Sequence, residues 1–309
     1  MTQYLVTGGA GFIGSHLVEA LVEHGERVRV LDDFSTGRRE NLAAVADHIE
    51  LLEGDVADPE TAERAVSGCD YVLHLAAIAS VQASLEEPQT THRVNVNGTL
   101  NVLDAARRAE VRRIVFASSA AVYGDHTVLP LQEELPPRPL SPYAVHKVAG
   151  EMYYRMFHAS YGLPTVALRF FNVYGPRQDP TNPYSGVISI FAAQIARGER
   201  PVIYGDGKQT RDFVYVTDVA RAGLLVCEQE AAVGGVFNVA GGRQTSMLQL
   251  AAVLNQVLGT SLTPTFAPAR SGEVRFSQAN VSRAREVLGW EAQITLQEGL
   301  SRLMQAEYT

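Results

Sequence analysis

Thr7-Gly8-Gly9-Ala10-Gly11-Phe12-Ile13-Gly14 is the stretch that decides the fold. It follows an apolar run, Tyr4-Leu5-Val6, and opens an amphipathic pattern from Phe12 to His24 that Gly25 ends. A strand, a glycine-rich turn and a helix in this order suit a dinucleotide pyrophosphate, because glycines permit a tight turn and a close backbone approach. The helix N-terminus attracts the anion. This context favours a cofactor site over a ligand-free glycine turn, with contacts from Gly8, Gly11, Phe12, Ile13 and Gly14.

A carboxylate follows the second predicted strand. Asp32 ends the predicted strand Arg27 to Leu31 and lies 18 residues after Gly14, which suits an acid that binds the adenosine ribose. A carboxylate there accepts from ribose hydroxyls and repels a 2′-phosphate, so we favour NAD over NADP. Arg38 and Arg39 lie nearby and keep NADP open at this point.

The first half of the chain alternates apolar runs with helical patterns. After the first two strands we predict strands over 50–53, 71–75 and 114–117, a helix that Asp58 starts, and a long helix from Thr91 to Ala109. Continuous apolar strands separated by helices indicate a parallel sheet covered on both faces. The fold class is therefore α/β, a Rossmann-type doubly wound parallel sheet with a smaller C-terminal α/β lobe.

The second half is less regular. We predict strands over 165–170, 201–204 and 213–216, and helices over 186–197, from 217, over 245–258 and, as the last one, over 281–288 behind Asn280. Dense Gly and Pro near 176–183 and 264–272 indicate loops of a substrate-binding lobe. The expected division is a cofactor-binding domain over 1–165, to which later segments return, and a mainly substrate-binding lobe over 166–309.

Composition excludes several functions. The chain has 309 residues, 46% hydrophobic and 19% charged, with a net charge of -8, which argues against nucleic acid and anionic membranes as main partners. Cys69 and Cys227 lie in apolar contexts without metal-ligand spacing, so buried thiols are expected and no metal. Strand-like sequence from Gln3 leaves no room for a signal peptide, and no apolar run approaches the ~18 residues that a membrane-spanning helix needs. We expect a cytoplasmic protein.

Tyr143-Ala144-Val145-His146-Lys147 carries the candidate chemistry. Ser141 suits a helix N-cap and Pro142 the first helical position, so Tyr143 and Lys147 should share one helix face. The positive helix end and the lysine charge would both favour phenolate, lowering the tyrosine pKa from its usual value of about 10.

These motifs together resemble the extended short-chain dehydrogenase/reductase superfamily and, within it, the UDP-hexose 4-epimerases. The resemblance covers nearly the whole chain. It is carried by Gly8-x-x-Gly11-x-x-Gly14, Asp55-Val56, His74-Leu75-Ala76-Ala77, Asn95 to Thr99, Ser118 to Gly124, Tyr143-x-x-x-Lys147, Arg169 to Pro176, Arg211-Asp212-Phe213 and Arg270 to Glu273.

The resemblance implies a hydride cycle without net redox on a UDP-sugar. Tyr143 would take the proton of the sugar 4-hydroxyl while hydride passes to NAD. Lys147 would hold the nicotinamide ribose and keep Tyr143 anionic, and Ser119 would hydrogen-bond the 4-oxygen. The 4-keto sugar would then turn over and take the hydride back on its other face.

The resemblance also implies two sets of binding residues. Beyond the glycine loop, the NAD contacts would be Asp32, Asp33, Asp55, Val56, Leu75, Ala76, Ala77, Asn95, Tyr143, Lys147 and Phe170. The UDP-sugar contacts would be Ser119, Tyr143, Asn172, Val187, Tyr204, Arg211, Arg270, Glu273 and Ser277.

Plainer interpretations accompany these roles. Ser119 could simply end a strand, Asn95 could cap a helix, and Ala76 and Ala77 could be packing residues. Arg211 and Arg270 could be surface charges. Glu151, four residues after Lys147, is interpreted as part of a surface ladder of i, i+4 contacts.

Two positions separate the chain from relatives with other chemistry. Nucleotide-sugar 4,6-dehydratases carry an acid pair just after the catalytic hydroxyl, and the decarboxylating relatives carry a glutamate at the second of these positions. Here the residues are Ala120 and Ala121, which cannot transfer protons.

Uronate 4-epimerases tend to have threonine at the position of Asn172 and arginine at the position of Asp179. Asp179 would repel a sugar carboxylate, so a neutral UDP-hexose is favoured.

Ser277 bears on the choice of sugar. In the family this position restricts the space beside the sugar 2-position, and serine leaves room for an N-acetyl group. We therefore expect UDP-GlcNAc and UDP-GalNAc to be accepted with, or in preference to, UDP-Glc and UDP-Gal. The alternative is that Ser277 fills a surface loop.

Other classes stay open. A net NAD-dependent oxidoreductase would show a stoichiometric NADH change, and a catalytically silent dinucleotide-binding regulator is disfavoured by the intact Ser119, Tyr143 and Lys147. Helices near 91–109 and 143–160 match those with which family members form a dimer, so a homodimer is expected. Leu103, Met156 and Phe157 could belong to that interface or to the core.

Overall fold

The computed structural model describes residues 1–178, 186–269 and 274–308. Strands and helices alternate through its first half. The strands are β1 (Gln3–Thr7), β2 (Arg27–Asp32), β3 (Ile49–Glu53), β4 (Tyr71–His74), β5 (Arg113–Ser119), β6 (Thr165–Phe170), β7 (Asn172–Tyr174), β8 (Val202–Tyr204), β9 (Thr210–Arg211), β10 (Phe213–Tyr215), β11 (Val236–Val239), β12 (Thr245–Ser246) and β13 (Thr265–Ala267).

The helices cover both faces of the main sheet and build the second lobe. They are α1 (Phe12–Glu23), α2 (Pro59–Val66), α3 (Val81–Glu86), α4 (Pro88–His92), α5 (Thr99–Arg108), α6 (Pro142–Tyr161), α7 (Val187–Ala196), α8 (Val216–Glu228), α9 (Met247–Leu258), α10 (Ser282–Leu288) and α11 (Leu296–Tyr308). Short 3-10 helices cover Arg39–His48, Ala120–Tyr123 and Glu230–Ala232, and a π-helical segment covers Arg93–Gly98.

The main sheet has seven strands in the order β11-β6-β5-β4-β1-β2-β3, with all neighbours parallel. The direction of winding reverses between β1 and β4, the position where open α/β sheets bind ligands beyond the carboxyl ends of their strands. The predicted doubly wound parallel sheet is confirmed.

Side chains of the central strands bury both faces of this sheet. Along β1, Val6 enters a cluster with Leu17 of α1 and Val219 of α8, whereas Leu5 enters another with Leu103 of α5. The alternation along one strand places successive side chains on opposite faces. Leu103 and Phe157 are fully buried in the second cluster, whereas Met156 is 38% exposed.

The C-terminal lobe has its own buried cluster and smaller sheets. β7 pairs with β10 and β8 with β13, both parallel, and β9 pairs antiparallel with β12. Helices α7, α9 and α11 pack around Tyr174, Ile203 and Tyr215. The predicted division at residue 165 stays a prediction; β6 and β11 bring residues 165–170 and 236–239 into the main sheet.

Several sequence expectations need correction. The helix over 282–288 is not the last one, because α11 follows it. The stretch 91–109 is interrupted by a π-helical segment, and residues 245–246 pair as a strand before α9 begins. Strand β11 was not predicted at all.

Other features of the described residues bear on function. Cys69 and Cys227 are free and buried, as predicted. No described helix combines the length and apolar character that crossing a bilayer requires. Within the same ranges, no three His, Cys, Asp or Glu side chains are grouped as ligands of a metal ion would be.

Candidate active site

A cavity of about 670 Å³ lies over the carboxyl ends of the strands, at the reversal between β1 and β4. The glycine loop forms one end, and Ser119, Tyr143 and Lys147 lie at the other. The predicted cofactor residues that line it are Gly8, Gly11, Phe12, Ile13, Gly14, Asp32, Asp33, Val56, Leu75, Ala76, Ala77, Tyr143, Lys147 and Phe170.

The glycine loop leaves no room for side chains. Gly8 has φ +69, and a Cβ added to it would lie 2.8 Å from the Ala76 backbone nitrogen. A Cβ on Gly14 would lie 2.1 Å from the Gly8 carbonyl oxygen. Gly11 precedes α1 without a side-chain cap, so the first backbone N–H groups of the helix stay available for an anion. The loop therefore fits the pyrophosphate of a dinucleotide.

Asp32 braces the turn that follows β2. One carboxylate oxygen accepts from the Ala10 N–H and the other from the Phe34 N–H, each at 2.9 Å. The side chain is buried, and burial raises the pKa of Asp32.

Two predicted cofactor residues do not line the cavity. Asp55 pairs with Arg93 at 2.6 Å and accepts from the Ala57 N–H, while its neighbour Val56 does reach the cavity. Asn95 is buried and binds both backbone groups of Ile78, accepting from its N–H at 2.8 Å and donating to its carbonyl at 3.0 Å. Asn95 therefore holds the loop after β4 that does line the cavity.

Helix α6 places Tyr143 and Lys147 one turn apart, as predicted. The Ser141 hydroxyl accepts from the Ala144 N–H at 3.2 Å, with Pro142 in the first turn. The Tyr143 N–H donates to the Ser84 hydroxyl of α3 at 3.1 Å. Both side chains of the pair are buried: Tyr143 is 9% exposed and Lys147 5%.

Contacts with β5 fix the catalytic end of the cavity. Lys147 Nζ donates to the Ala117 carbonyl at 2.7 Å and lies 5.7 Å from the Tyr143 ring centroid. The Ser119 hydroxyl lies beside the Tyr143 phenol and lowers its pKa, and it accepts from the Ala121 N–H at 3.1 Å. One hydroxyl, one phenol and one amine thus line the same end of the cavity.

The direction of the Tyr143 pKa differs from the sequence expectation. Burial raises the pKa of Tyr143, and the Ser119 hydrogen bond lowers it by less. Burial also lowers the pKa of Lys147 to about 8, which weakens the positive charge on which the expectation relied. Desolvation disfavours both charged forms, and the sequence could not show how deeply the pair is buried.

Glu151 is not the surface residue that its spacing suggested. Its side chain is 10% exposed and forms an ion pair of 2.8 Å with Arg169, which is 5% exposed. Its carboxylate also accepts from the Ser118 hydroxyl. The i, i+4 spacing on α6 is the same for a surface ladder and for a buried pair, and only the packing against β5 and β6 distinguishes them.

The predicted substrate residues are dispersed. Asn172 lines the cavity, whereas Val187, Tyr204, Arg211 and Ser277 are not among its lining residues. Arg270, Glu273 and Asp179 lie outside the described residues.

Two of these residues have defined contacts in the C-terminal lobe. Arg211 donates to the carbonyls of Thr210 and Val274 at 2.9 and 2.8 Å. Ser277 is buried, 8% exposed, and donates its N–H to the Thr210 hydroxyl. The alternative of a surface position for Ser277 is therefore wrong.

A buried hydrogen-bond chain behind the cavity was missed at the sequence level. The Ala76 N–H donates to the Thr7 hydroxyl, which donates to His74 Nδ1; His74 Nε2 in turn donates to the Thr99 hydroxyl, which donates to the Asn95 carbonyl. Burial lowers the pKa of His74 to about 3, so its ring is neutral. The chain ties β1, β4 and the π-helical segment together beneath the cofactor loop.

Arg177 and Gln178 also line the cavity and were not predicted. Arg177 has φ +70 and pairs with Glu19 of α1 at 2.5 Å, while its N–H donates to Glu307 of α11. It thereby fixes the segment after β7 to both α1 and α11. The arginine-rich sequence offered no signal that singled out this position.

Comparison with known proteins agrees with this geometry. Residues 4–240 match the NAD dependent epimerase/dehydratase family. The chain belongs to this family of extended short-chain dehydrogenases/reductases, its cofactor is NAD, and it is an enzyme that modifies nucleotide sugars.

Particular relatives are similar over nearly their whole length. A UDP-glucose 4-epimerase of Mycolicibacterium smegmatis is 42% identical over 97% of both chains. The structure of the Thermotoga maritima UDP-glucose 4-epimerase with UDP-glucose matches with a TM-score of 0.94 and 41% identity, covering 99% of this chain and 98% of that one. A UDP-N-acetylglucosamine 4-epimerase of Methanobrevibacter ruminantium matches with a TM-score of 0.95 and 38% identity, covering 99% and 97%.

Related enzymes with different chemistry also match. A UDP-glucuronic acid decarboxylase of Arabidopsis thaliana is 37% identical over 97% of this chain and 68% of its own. Overall similarity therefore leaves the reaction to be argued from the site.

Proposed function

We propose that the protein is a UDP-hexose 4-epimerase that acts through a transient 4-keto sugar. The observation that carries this proposal is one cavity with a dinucleotide loop at one end and Ser119, Tyr143 and Lys147 at the other. The similarity to UDP-glucose 4-epimerases supports it.

Tyr143 is the proposed base. Its phenol oxygen would take the proton of the sugar 4-hydroxyl, and the neighbouring Ser119 hydroxyl would hydrogen-bond the same sugar oxygen and relay the proton. General acid–base help of this kind contributes about 10²–10⁴-fold. When the proton returns to the oxygen, Tyr143 acts as the acid.

NAD, when bound along the cavity, would supply a reversible hydride acceptor for sugar C4, so that the cycle would involve no net redox. Lys147, whose Nζ donates to the Ala117 carbonyl at 2.7 Å, would hydrogen-bond the nicotinamide ribose and offset the charge of a Tyr143 phenolate. Holding the sugar and the cofactor in the correct relative position would supply much of the rate enhancement.

Inversion at C4 requires that the sugar turns while its nucleotide stays bound. We propose Asn172, Arg211 and Arg270 as diphosphate or sugar ligands, because arginine binds phosphate in a bidentate way. Val187 and Tyr204 are proposed uridine contacts, and Glu273 a further contact of the same lobe.

The residues after Ser119 argue against the reactions of the dehydratases and decarboxylases. Ala120 and Ala121 begin the 3-10 helix that follows β5, and neither methyl group can transfer a proton. An enzyme that removes the C5 proton, or that assists loss of a carboxyl group, needs an acid or base there.

We further propose that N-acetylated sugars are substrates. Ser277 is a small residue of the C-terminal lobe, and a serine beside the sugar 2-substituent would leave room for an N-acetyl group. The similarity to a UDP-N-acetylglucosamine 4-epimerase supports this extension.

A panel of UDP-sugars tests the proposal. The purified protein is incubated with UDP-Glc, UDP-Gal, UDP-GlcNAc, UDP-GalNAc and UDP-glucuronate, products are separated by chromatography, and NADH is followed by absorbance. We expect interconversion of the neutral 4-epimers, with both members of a pair reached from either side. Loss of carbon dioxide from the glucuronate, or NADH formed in proportion to substrate, would replace the proposal with a decarboxylase or a net oxidoreductase.

Tyr143→Phe provides the site-specific arm. It should lower kcat by about 10²–10⁴-fold, while NAD and UDP binding measured by calorimetry stay close to wild type. Tyr161→Phe, at the exposed end of the same helix, is the matched control and should retain activity.

A further inference from the structure

Glu151 lies behind the catalytic end of the cavity and joins three elements. Its Oε1 accepts from the Ser118 hydroxyl at 2.5 Å and from Arg169 Nε at 2.8 Å, and its Oε2 accepts from Arg169 Nη2 at 2.8 Å. The arginine contact is bidentate, which is the geometry that fixes direction as well as distance.

The two partners of Glu151 lie at the site or directly beside it, because Ser118 lines the cavity and Arg169 is next to a lining residue. Ser118 precedes Ser119 on β5, and the carbonyl of Ala117 on the same strand holds Lys147. Arg169 precedes Phe170, which lines the cavity. Glu151 itself is one helical turn after Lys147 on α6. The carboxylate therefore sets how α6 sits on the strand that carries Ser119.

Within the described ranges, few charged or titratable groups lie near Lys147. Tyr143, His146 and Glu151 come from its own helix and His74 from β4, while Arg169 of β6 is paired with Glu151. Burial lowers the pKa of both His74 and His146, so these rings are neutral near pH 7. Burial likewise lowers the pKa of Lys147 to about 8, and the negative charge of Glu151 opposes that fall.

We propose that Glu151 is a positioning residue of the reaction, which holds Tyr143, Lys147 and Ser119 in register and whose negative charge keeps the Lys147 amine in its ammonium form. The inference rests on the proposed function, because it assigns Lys147 a part in the epimerase site. Arg169 serves Glu151: it orients the carboxylate and satisfies its oxygens.

The charge removed by Glu151→Gln should change the titration of Lys147. The substitution takes away the negative charge and leaves the Arg169 guanidinium without its partner, and both changes disfavour the ammonium form. We expect the Lys147 midpoint to fall by about one pH unit or more. Glu151→Asp keeps the charge, so its midpoint should stay near that of the wild type.

The chain has only two lysines, Lys147 and Lys208, which makes this measurable directly. Protein labelled with ¹³C at lysine Cε gives two resonances, assigned with Lys208→Arg, and each is followed against pH by NMR. Lys208 is exposed and serves as the internal reference. Glu298→Gln is the matched control, because it breaks an exposed pair with Arg302 and should move neither resonance.

A second variant separates charge from fold. Glu151→Gln leaves a buried guanidinium unpaired and can fail to fold, whereas Glu151→Met with Arg169→Met replaces the pair by apolar side chains of similar size, a change that buried pairs often tolerate. In this double variant we expect a folded protein whose Lys147 midpoint is lowered, by less than in Glu151→Gln. Its kcat should fall while its KM for the UDP-sugar stays near wild type.

The outcomes decide between two roles. An unchanged Lys147 midpoint in Glu151→Gln, or a folded double variant with wild-type midpoint and wild-type kcat, would overturn the inference and leave Glu151 as a fold residue alone. The NMR titration requires no turnover, so it can fail while the epimerase assay succeeds. It can likewise succeed on a protein that converts none of the sugars tested.

Discussion

Burial works against the ionic forms of Tyr143 and Lys147. It raises the pKa of the phenol and lowers that of the amine, although an alcohol-oxidising site needs phenolate and ammonium together. Burial also has a benefit, because excluding water from the site strengthens the electrostatic contacts made during the reaction. The Ser119 hydroxyl offsets part of this cost for Tyr143, and the Glu151 carboxylate offsets part of it for Lys147.

The first residue-scale prediction concerns the stability cost of Lys147. Its pKa falls from 10.5 unfolded to about 8 folded, so between these values the unfolded chain binds more protons and the free energy of unfolding rises with pH. The cost is complete below pH 8 and is absent above 10.5. Relative to Lys147→Met, the wild type should gain about 3 kcal/mol between pH 7.5 and 10.5. Urea unfolding at several pH values measures this difference.

Lys208→Met is the control for that series, because it removes the other lysine from an exposed position. Its difference from wild type should stay constant with pH. A constant difference for Lys147→Met as well would show that Lys147 keeps its ordinary titration in the folded protein.

The second residue-scale prediction concerns the glycine loop. In Gly14→Ala the new Cβ would meet the Gly8 carbonyl oxygen at 2.1 Å and the Gly9 Cα at 2.8 Å, so the loop must shift. We expect the loss of measurable NAD binding and a fall of about 1–3 kcal/mol in the free energy of unfolding. Calorimetric NAD titration and denaturant unfolding measure the two effects.

Gly25→Ala is the matched change at the other end of α1. Gly25 has φ +77 and open space around it, so alanine costs about 1–2 kcal/mol of backbone strain without touching the loop. Its NAD affinity should equal that of the wild type. Wild-type affinity in Gly14→Ala would contradict the placement of the pyrophosphate on this loop.

At the scale of elements, the start of α6 deserves a separate test because Tyr143 lies in its first turn. Ser141→Ala removes the cap bond to the Ala144 N–H and should cost about 1 kcal/mol. Ser246→Ala removes the equivalent bond of α9, at 3.1 Å, at a similar cost. Only Ser141→Ala should also lower kcat. Equal kcat in both variants would show that cap geometry does not reach the phenol.

The elements that could be predicted from sequence are those with local signals. The start of α2 at Asp58, the cap of α6 at Ser141 and the glycine turn after β1 are all encoded within a few residues. β11 could not be found this way, since its four residues become a strand by pairing with β6, about 70 residues earlier. Helix α11 is amphipathic but largely polar, and it is stabilised by packing in the second lobe.

The site shows the same limit. The residues placed by one motif, such as Gly8, Gly14, Tyr143 and Lys147, were predicted and do line one cavity. The partners of Glu151, Asn95 and His74 lie on other elements, so their roles depend on sheet register and on the packing of helices, which no local pattern records. The pKa direction of Tyr143 was wrong for the same reason, because burial is a property of the whole fold.

At the scale of the molecule, α6 carries an exposed apolar stripe. Val145 is 50% exposed, Met152 63% and Met156 38%. Exposed apolar area of this kind marks a contact surface, and we predict that it forms a homodimer interface. Met152→Glu would place a charge in that interface and should yield monomers, measured by light scattering after size exclusion.

Leu248→Glu is the control for association. Leu248 is 40% exposed on α9 in the other lobe, so the same substitution there should leave the dimer intact. A monomeric wild type at micromolar concentration, or a dimeric Met152→Glu, would contradict the prediction.

Strands β6 and β11 complete the main sheet from sequence beyond residue 165. A fragment that ends there would leave β5, an apolar central strand, as an open edge whose unpaired N–H and carbonyl groups can recruit the same strand of a second molecule. Proteolysis between the lobes would therefore be expected to yield aggregates rather than a free cofactor-binding module. Expression, labelling and display of this enzyme should accordingly keep the polypeptide in one piece.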